Sequence, residues 1–255
     1  MIGRLIGMVH LGPLPGSPRF GGDLDAVVEA ALSDAAVLAA AGFDALMVEN
    51  FGDAPFYAKK VPDVTVASMA VAADAVRREA GLPIGVNVLR NDGLAAMAVA
   101  AAAGASFIRV NVLTWSMTTD QGPIVGRADE VGRLRAALNP SIGIAADVMV
   151  KHAVPPPGLT LERAARDTWE RGGADALVVS GGATGDPASA ADLETVRRAV
   201  PDARILVGSG ASAATVGALL EVADGVIVGT SVKQDGVSTA PVDAARAAEL
   251  VAAAS

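Results

Sequence analysis

The chain has no cysteine. That excludes a disulfide framework, a thiolate metal site and a cysteine nucleophile. Basic charge is scarce as well. Lys and Arg number 20 against 28 Asp and Glu, giving a formal net charge of −8. No basic run appears, and the Arg pairs at 77–78 and 197–198 fall in helix-like segments where a solvated face explains them. A nucleic-acid footprint, which needs a basic stripe, is therefore not expected. Long apolar runs are missing too. Stretches such as LAAMAVAAAAGA (94–105) are too short and too rich in alanine to span a bilayer. The opening MIGRLIGMVHLG lacks the h-region and cleavage site of a signal peptide. The expectation is a cytoplasmic protein with no membrane insertion. Aromatic residues make up 3% and there are only 2 histidines, so the positions of the few that occur are informative.

Hydrophobic residues account for 52% of the 255 positions, enough for one large core. They are grouped in short runs at 4–10, 45–50, 84–90, 106–112, 143–149, 176–181, 204–210 and 225–231. Between them lie segments with a helical period, such as 23–42, with Asp at its start and Gly at its end, and 65–81, for which Thr65 is the expected N-cap. A weak repeat recurs: AGFDALMV (41–48), AGASFIRV (103–110), GGADALVV (172–179) and EVADGVIV (221–228) each end a helix, turn on a small residue and enter a strand. Strands alternating with helices mean βα units and a parallel sheet. The regular spacing, with no polar edge strand, predicts an α/β fold: one TIM (β/α)8 barrel spanning residues 1–255. An open doubly wound sheet is the rival.

Active sites of such barrels lie at the C-terminal ends of the strands. The polar residues gather there. The first run ends in His10, the second in Glu49 and Asn50. The third carries Asn87, Arg90 and Asn91, and the fourth Arg109 and Asn111. The fifth carries Asp147, Lys151 and His152, and the sixth ends in Ser180. Side chains of a strand alternate between faces, and a polar group inside a strand is costly unless paired. Asn87, Arg109, Asn111 and Asp147 are therefore expected to face the barrel mouth. His152 has the opposite parity to Lys151 and is expected to cap the next helix or face solvent.

After the last two runs come VGSGAS (207–212) and VGTSVK (228–233), and SGGATG (180–185) follows the sixth. Glycines let backbone N–H groups approach an anion, and barrels often hold phosphate on these loops and a short helix N-terminus. Gly208, Ser209, Gly210, Gly229, Thr230 and Ser231 are the phosphate-binding candidates, with Ser212 adding a hydroxyl. Asn87, Arg109, Asn111, Ser180 and Thr184 are the substrate-binding candidates.

His10, Glu49, Asp147 and Lys151 are the catalytic candidates. Asp147 or Glu49 can serve as general base, or the two as a base and acid on opposite sides of the substrate. Lys151 has two readings, a Schiff-base amine and a phosphate or carboxylate clamp, with the clamp ahead, and Lys233 has the same two. His10, Glu49 and Asp147 could ligate a metal, but nothing has the spacing of a metal motif, so neither metal nor other cofactor is expected. Replacing Asp147 by Asn is expected to stop turnover and spare the fold. The loops at 11–22 and 114–126 are long enough to close over the mouth. Trp115 in the second has three readings: a cover for the ligand, an oligomer contact, or core packing.

At GMVHLGPLPGSP, VKHAVPPPG, GGATG and VGSGAS…DGVIVGTSVKQDG the sequence resembles the BtpA family, over nearly its whole length. That family is named for a role in photosystem I biogenesis and has a member encoded with sugar-uptake genes. The resemblance implies a phosphate-binding TIM barrel akin to phosphoribosylanthranilate isomerase, and it carries no residue roles with it. Two functions are expected from these readings. The first is an enzyme acting on a phosphorylated sugar or nucleotide-like molecule, as isomerase, lyase or hydrolase. The alternative is a non-catalytic biogenesis factor that uses the barrel as a scaffold. The expected partner is a phosphorylated small molecule, and a homo-oligomer is common for such barrels.

Overall fold

The computed structural model describes residues 2–150, 152–181 and 188–255. In chain order its strands are β1 (Leu5–His10), β2 (Ala45–Glu49), β3 (Ile84–Asn87), β4 (Phe107–Val110), β5 (Ser116–Thr119), β6 (Gly122–Val125), β7 (Gly143–Asp147), β8 (Ala176–Val179), β9 (Ile205–Val207) and β10 (Gly225–Val228). All but β5 and β6 close into a parallel barrel in the order β1-β10-β9-β8-β7-β4-β3-β2. The protein is thus a TIM barrel. Around it lie α1 (Leu24–Ala41), α2 (Asp63–Ala80), α3 (Gly93–Ala103), α4 (Ala128–Leu138), α5 (Leu161–Arg166), α6 (Ala190–Ala199), α7 (Val216–Leu220) and α8 (Ala244–Ala253). The remaining strands, β5 and β6, pair as an antiparallel hairpin within the 114–126 loop.

Local chemistry sets most element ends. Asp23 accepts the N–H of Ala26 and starts α1, and Gly42 ends it with φ 100°, a left-handed turn that suits glycine. Helix α2 does not start at Thr65. Pro62, with φ −59° and no N–H to satisfy, precedes the first helical residue Asp63, and Thr65 is buried in the first turn. Most apolar runs leave the ladder before they end. Pairing stops at Asn87, Val110, Asp147, Val179, Val207 and Val228, and beyond these ends Leu89, Arg90, Asn111, Gly208 and Gly229 reach the mouth.

The repeat noted in the sequence has a mechanical role. Asp44, Asp175 and Asp224 each stand just before a strand. Each accepts an N–H from the start of the preceding barrel strand, from Leu5 (2.8 Å), Ile144 (2.8 Å) and Ile205 (2.7 Å). Each also donates its own N–H to the carbonyl of that same residue. This reciprocal pair aligns neighbouring strands at the end of the barrel away from the mouth.

Two apolar layers follow from the alternation. Outward-facing residues such as Val9, Val48, Val86, Ile108 and Ile144 pack against the helices. Inward-facing Ile6, Met8, Met47, Phe107, Val178, Leu206 and Ile227 fill the barrel. Phe107 is fully buried there, and a Cβ on Gly85 would sit 2.2 Å from its ring, so the glycine makes room for the one large plug side chain. Burying a side chain of that size is worth roughly 1.5–3 kcal/mol. The plug forms the floor on which the polar layer rests.

Candidate functional site

The next inward position along β1 to β4 is polar in every strand. Register sets His10 opposite Glu49, Glu49 opposite Asn87 and Asn87 opposite Arg109, a continuous row across the barrel. Asp147 at the end of β7 completes the layer. Its carboxylate takes Nε and Nη2 of Arg109 at 3.2 and 2.8 Å, Nδ2 of Asn111 at 3.0 Å and Oγ of Ser180 at 3.3 Å. Asn87 donates to Asn111 Oδ1 and to the Arg109 carbonyl, both at 3.0 Å. Because both partners are acceptors, they set the orientation of the Asn87 amide. Burial alone would lower the Arg109 guanidinium, but the Asp147 charge and its hydrogen bonds outweigh that and hold it above its ordinary value. Arg109 and Asp147 are thus an ion pair in a dry setting, side chains 4% and 0% exposed.

Above this layer opens a cavity of about 980 Å³. His10, Glu49, Arg90, Arg109 and Asn111 line it, with apolar Leu11, Phe51, Phe56 and Leu89. Asn87, Asp147 and Ser180 do not line it and sit in the supporting network. His10 is firmly held. Its ring stacks on Phe51 with centroids 4.5 Å apart, and Nδ1 lies 2.9 Å from the Ser238 carbonyl. A carbonyl only accepts, so Nδ1 carries the proton and a neutral ring has its lone pair on Nε2. Nε2 lies 3.8 Å from Glu49 Oε1. Burial pushes the Arg90 guanidinium below its ordinary value, against the pull of Asp147, Asp120 and Glu49.

The turns 208–212 and 229–231 form the wall next to His10. A Cβ on Gly208 would lie 2.3 Å from Ser180 Oγ and 2.5 Å from Val178 Cγ1, so only glycine lets this turn lie flat on the barrel. The turns are tied together by Ser231 Oγ, which donates to the Ala211 carbonyl at 2.7 Å. Among the described residues, no acceptor takes the backbone N–H of Gly210, Ala211, Thr230 or Ser231. The helix after the first turn, α7, is only 5 residues long and begins at Val216, so the donors here belong to the turns themselves.

Other expected residues resolve differently. Lys151 and Thr184, with most of the 180–185 turn, lie outside the described residues. His152 is exposed with φ 57° and lines the cavity, while the N-cap of α5 is Thr160. Lys233 is fully buried and clamps the Asp34 carboxylate of α1, away from the cavity. The Trp115 indole donates to Asp167 at 3.0 Å and lies under Arg163, so it ties the hairpin to α5 and does not line the cavity. The hairpin tip, Asp120 and Gln121, does reach it, as do Pro13 and Arg19 of the 11–22 loop. Among the described residues, no group of His, Asp and Glu is placed to hold a metal, and no helix is long and apolar enough to cross a membrane. The reading from sequence missed Phe51, on the turn after β2, and Gly236, Ser238 and Thr239, on a return loop after the last turn; all but Ser238 line the cavity. The scarcity of aromatics was a usable signal for Phe51.

The BtpA family model matches residues 2–255. The chain belongs to the BtpA family. An uncharacterized protein of Thermococcus kodakarensis is 54% identical over 249 residues, 97% of this chain and 93% of that one. The photosystem I biogenesis protein BtpA of Synechocystis is 45% identical over 249 residues, covering 98% and 87%. Among solved structures, N-(5'-phosphoribosyl)anthranilate isomerase from Pyrococcus furiosus superposes with a TM-score of 0.59 at 13% identity, covering 99% of this chain and 98% of that one. At that identity the likeness concerns the barrel alone. Both relatives match this chain over nearly its full length.

Proposed function

We propose that this BtpA-family protein is an enzyme acting by acid–base chemistry on a phosphorylated sugar or nucleotide-like small molecule, as an isomerase, lyase or hydrolase. One observation carries the reading. The turns at 208–212 and 229–231, whose Gly210, Ala211, Thr230 and Ser231 N–H groups meet no acceptor among the described residues, adjoin an imidazole whose tautomer is set and whose base nitrogen faces Glu49. Gly208, Ser209, Gly210, Gly229, Thr230 and Ser231 hold the phosphate. His10 Nε2 is the general base, and Glu49 is its acid–base partner across the row. The edge of the Arg109 guanidinium turned from Asp147 meets negative charge that develops on the substrate. Asp147 holds that guanidinium in place, Asn111 braces Asp147 and Asn87 braces Asn111, and Asp147 touches no reacting atom, which revises the role expected for it.

The phosphoribosyl group in the name of the Pyrococcus isomerase belongs to that enzyme and supports only a similar use of the same barrel face. The second reading, a scaffold for assembly, rests on the 45% identity to the Synechocystis biogenesis protein.

Thermal unfolding against sugar phosphates, nucleotides, their dephosphorylated parents and inorganic phosphate separates the two. A ligand at about 100 times its Kd stabilises by about 2.7 kcal/mol. That corresponds to a rise of roughly 5–10 °C for a domain of this size. Phosphorylated compounds should give it and their parents should not. Equal shifts with and without phosphate overturn the phosphate site, and no shift with any compound overturns the enzyme reading in favour of the scaffold.

A further inference from the structure

We propose that Ser238 is a positioning residue that couples anion binding at the last turn to the state of the His10 imidazole. The inference rests on the phosphate reading of that turn. Ser238 is 228 residues from His10 in sequence, and its carbonyl lies 2.9 Å from His10 Nδ1. Its hydroxyl meets Thr230 Oγ1 at 2.8 Å. One residue therefore touches the base through its backbone and the phosphate turn through its side chain.

The surroundings make that double contact precise in space. Residues 234–241 form a return loop whose base is closed by the bridge between Lys233 and Val242. The base is pinned from beneath, because Asp34 takes both the buried Lys233 ammonium and the Val242 N–H, the latter at 2.7 Å. The loop itself is turned by Asp235 and Gly236, with φ 54° and 67°. Its far side is exposed, with Ser238 half-buried against the turn. The base of the loop is rigid. Its middle is held through contacts within the loop, the carbonyl on His10 and the hydroxyl on Thr230.

A hydroxyl has one proton to donate. With no anion present, either hydroxyl of the Thr230–Ser238 pair can be the donor. An anion on the turn accepts a hydrogen bond from the Thr230 hydroxyl, and Thr230 Oγ1 then accepts from Ser238. The pair acquires a single direction, Ser238 to Thr230 to anion, and the loop is held with its carbonyl on His10 Nδ1. Binding thereby strengthens the contact that keeps the proton on Nδ1 and the lone pair on Nε2. A network polarised in one direction is stronger than the same bonds with mixed directions.

The 2 histidines make this measurable by nitrogen-15 NMR of the imidazoles, with His152→Gln to assign the signals. Inorganic phosphate is the probe. Binding is read at the Gly210 and Ala211 amides, and the state of His10 by exchange of its Nδ1 proton with water. In the unmodified chain, phosphate should slow that exchange about tenfold, the worth of one added hydrogen bond. In Ser238→Ala, which keeps the carbonyl, phosphate should still shift the Gly210 and Ala211 amides while the slowing falls below about twofold. Ser238→Thr should restore it. A through-space effect of the phosphate charge would survive in Ser238→Ala, so equal slowing in both overturns the coupling and leaves the phosphate site intact. If phosphate leaves the Gly210 and Ala211 amides unmoved in the unmodified chain, the phosphate reading fails and the coupling fails with it.

Discussion

Asp147 shows why residue type and position do not yet give a role. Its place at a strand end and its inward parity are legible in the sequence, and so are those of Asn87, Arg109 and Asn111. What the sequence does not reveal is that its oxygens are already engaged. The partner Arg109 is 38 residues away, and the pairing depends on register around the barrel. The expectation that Asp147→Asn spares the fold is therefore replaced. That substitution leaves a guanidinium in a dry layer facing a neutral amide, and breaking a buried pair from one side costs about 3–5 kcal/mol. A large drop in the urea midpoint is expected for Asp147→Asn. The double variant Arg109→Met with Asp147→Leu should recover most of it, since the lone charge is then gone. A wild-type midpoint for Asp147→Asn would mean that the Arg109 charge is relieved in some other way. His10 lies on the opposite side of the same question. Its strand end is legible, but the groups that set its chemistry, Phe51 and Ser238, come from a turn and a distant loop that no local pattern announces.

At the scale of elements, the recurring Asp before a strand is the part of the sequence that maps most directly onto structure. The repeat reads as helix end, small turn, strand, and its Asp supplies the hydrogen bond that sets strand alignment. Asp224 allows a pH test. Burial alone would raise its carboxyl, but the Ile205 N–H and the Arg197 guanidinium outweigh that and hold it below the usual carboxylate range. A carboxyl lowered on folding contributes stability that is fully present above its unfolded value, about 3.9, and is lost as pH falls through the lower folded value. Asp224→Asn should therefore be less stable than wild type at pH 7, and the deficit should shrink as the pH drops below about 4. Urea midpoints of both proteins across that range give the answer. A deficit that is constant with pH would show that the carboxylate charge contributes nothing. The 114–126 segment is the contrasting case. Its strands are short and half-exposed, and no alternation long enough to mark a hairpin is present, so the sequence shows only a long loop.

The closed barrel is legible because the regular spacing of apolar runs leaves few other ways to bury them, and the BtpA motifs point the same way. The electrostatics of the whole molecule are less obvious. An anionic ligand must approach a protein of formal charge −8. Among the described residues at the mouth, Arg19, Arg90 and Arg109 are balanced by Glu49, Asp120 and the supporting Asp147. The mouth therefore offers directed donors without a net positive field, and the field that a distant anion meets is that of the whole surface. Such a field is repulsive, and it is screened as the Debye length shortens from about 30 Å at 0.01 M salt to about 8 Å at 0.15 M. Contacts made inside the cavity are screened much less. The association rate of a phosphorylated ligand should thus rise with an inert salt over this range, by a few-fold, while its dissociation rate changes little. This is the reverse of the salt dependence of steered anion binding by a basic site. Stopped-flow binding of whichever phosphorylated compound stabilises the protein would measure both rates. An association rate that falls with salt would mean that the mouth has a positive field of its own, supplied by groups beyond those balanced here.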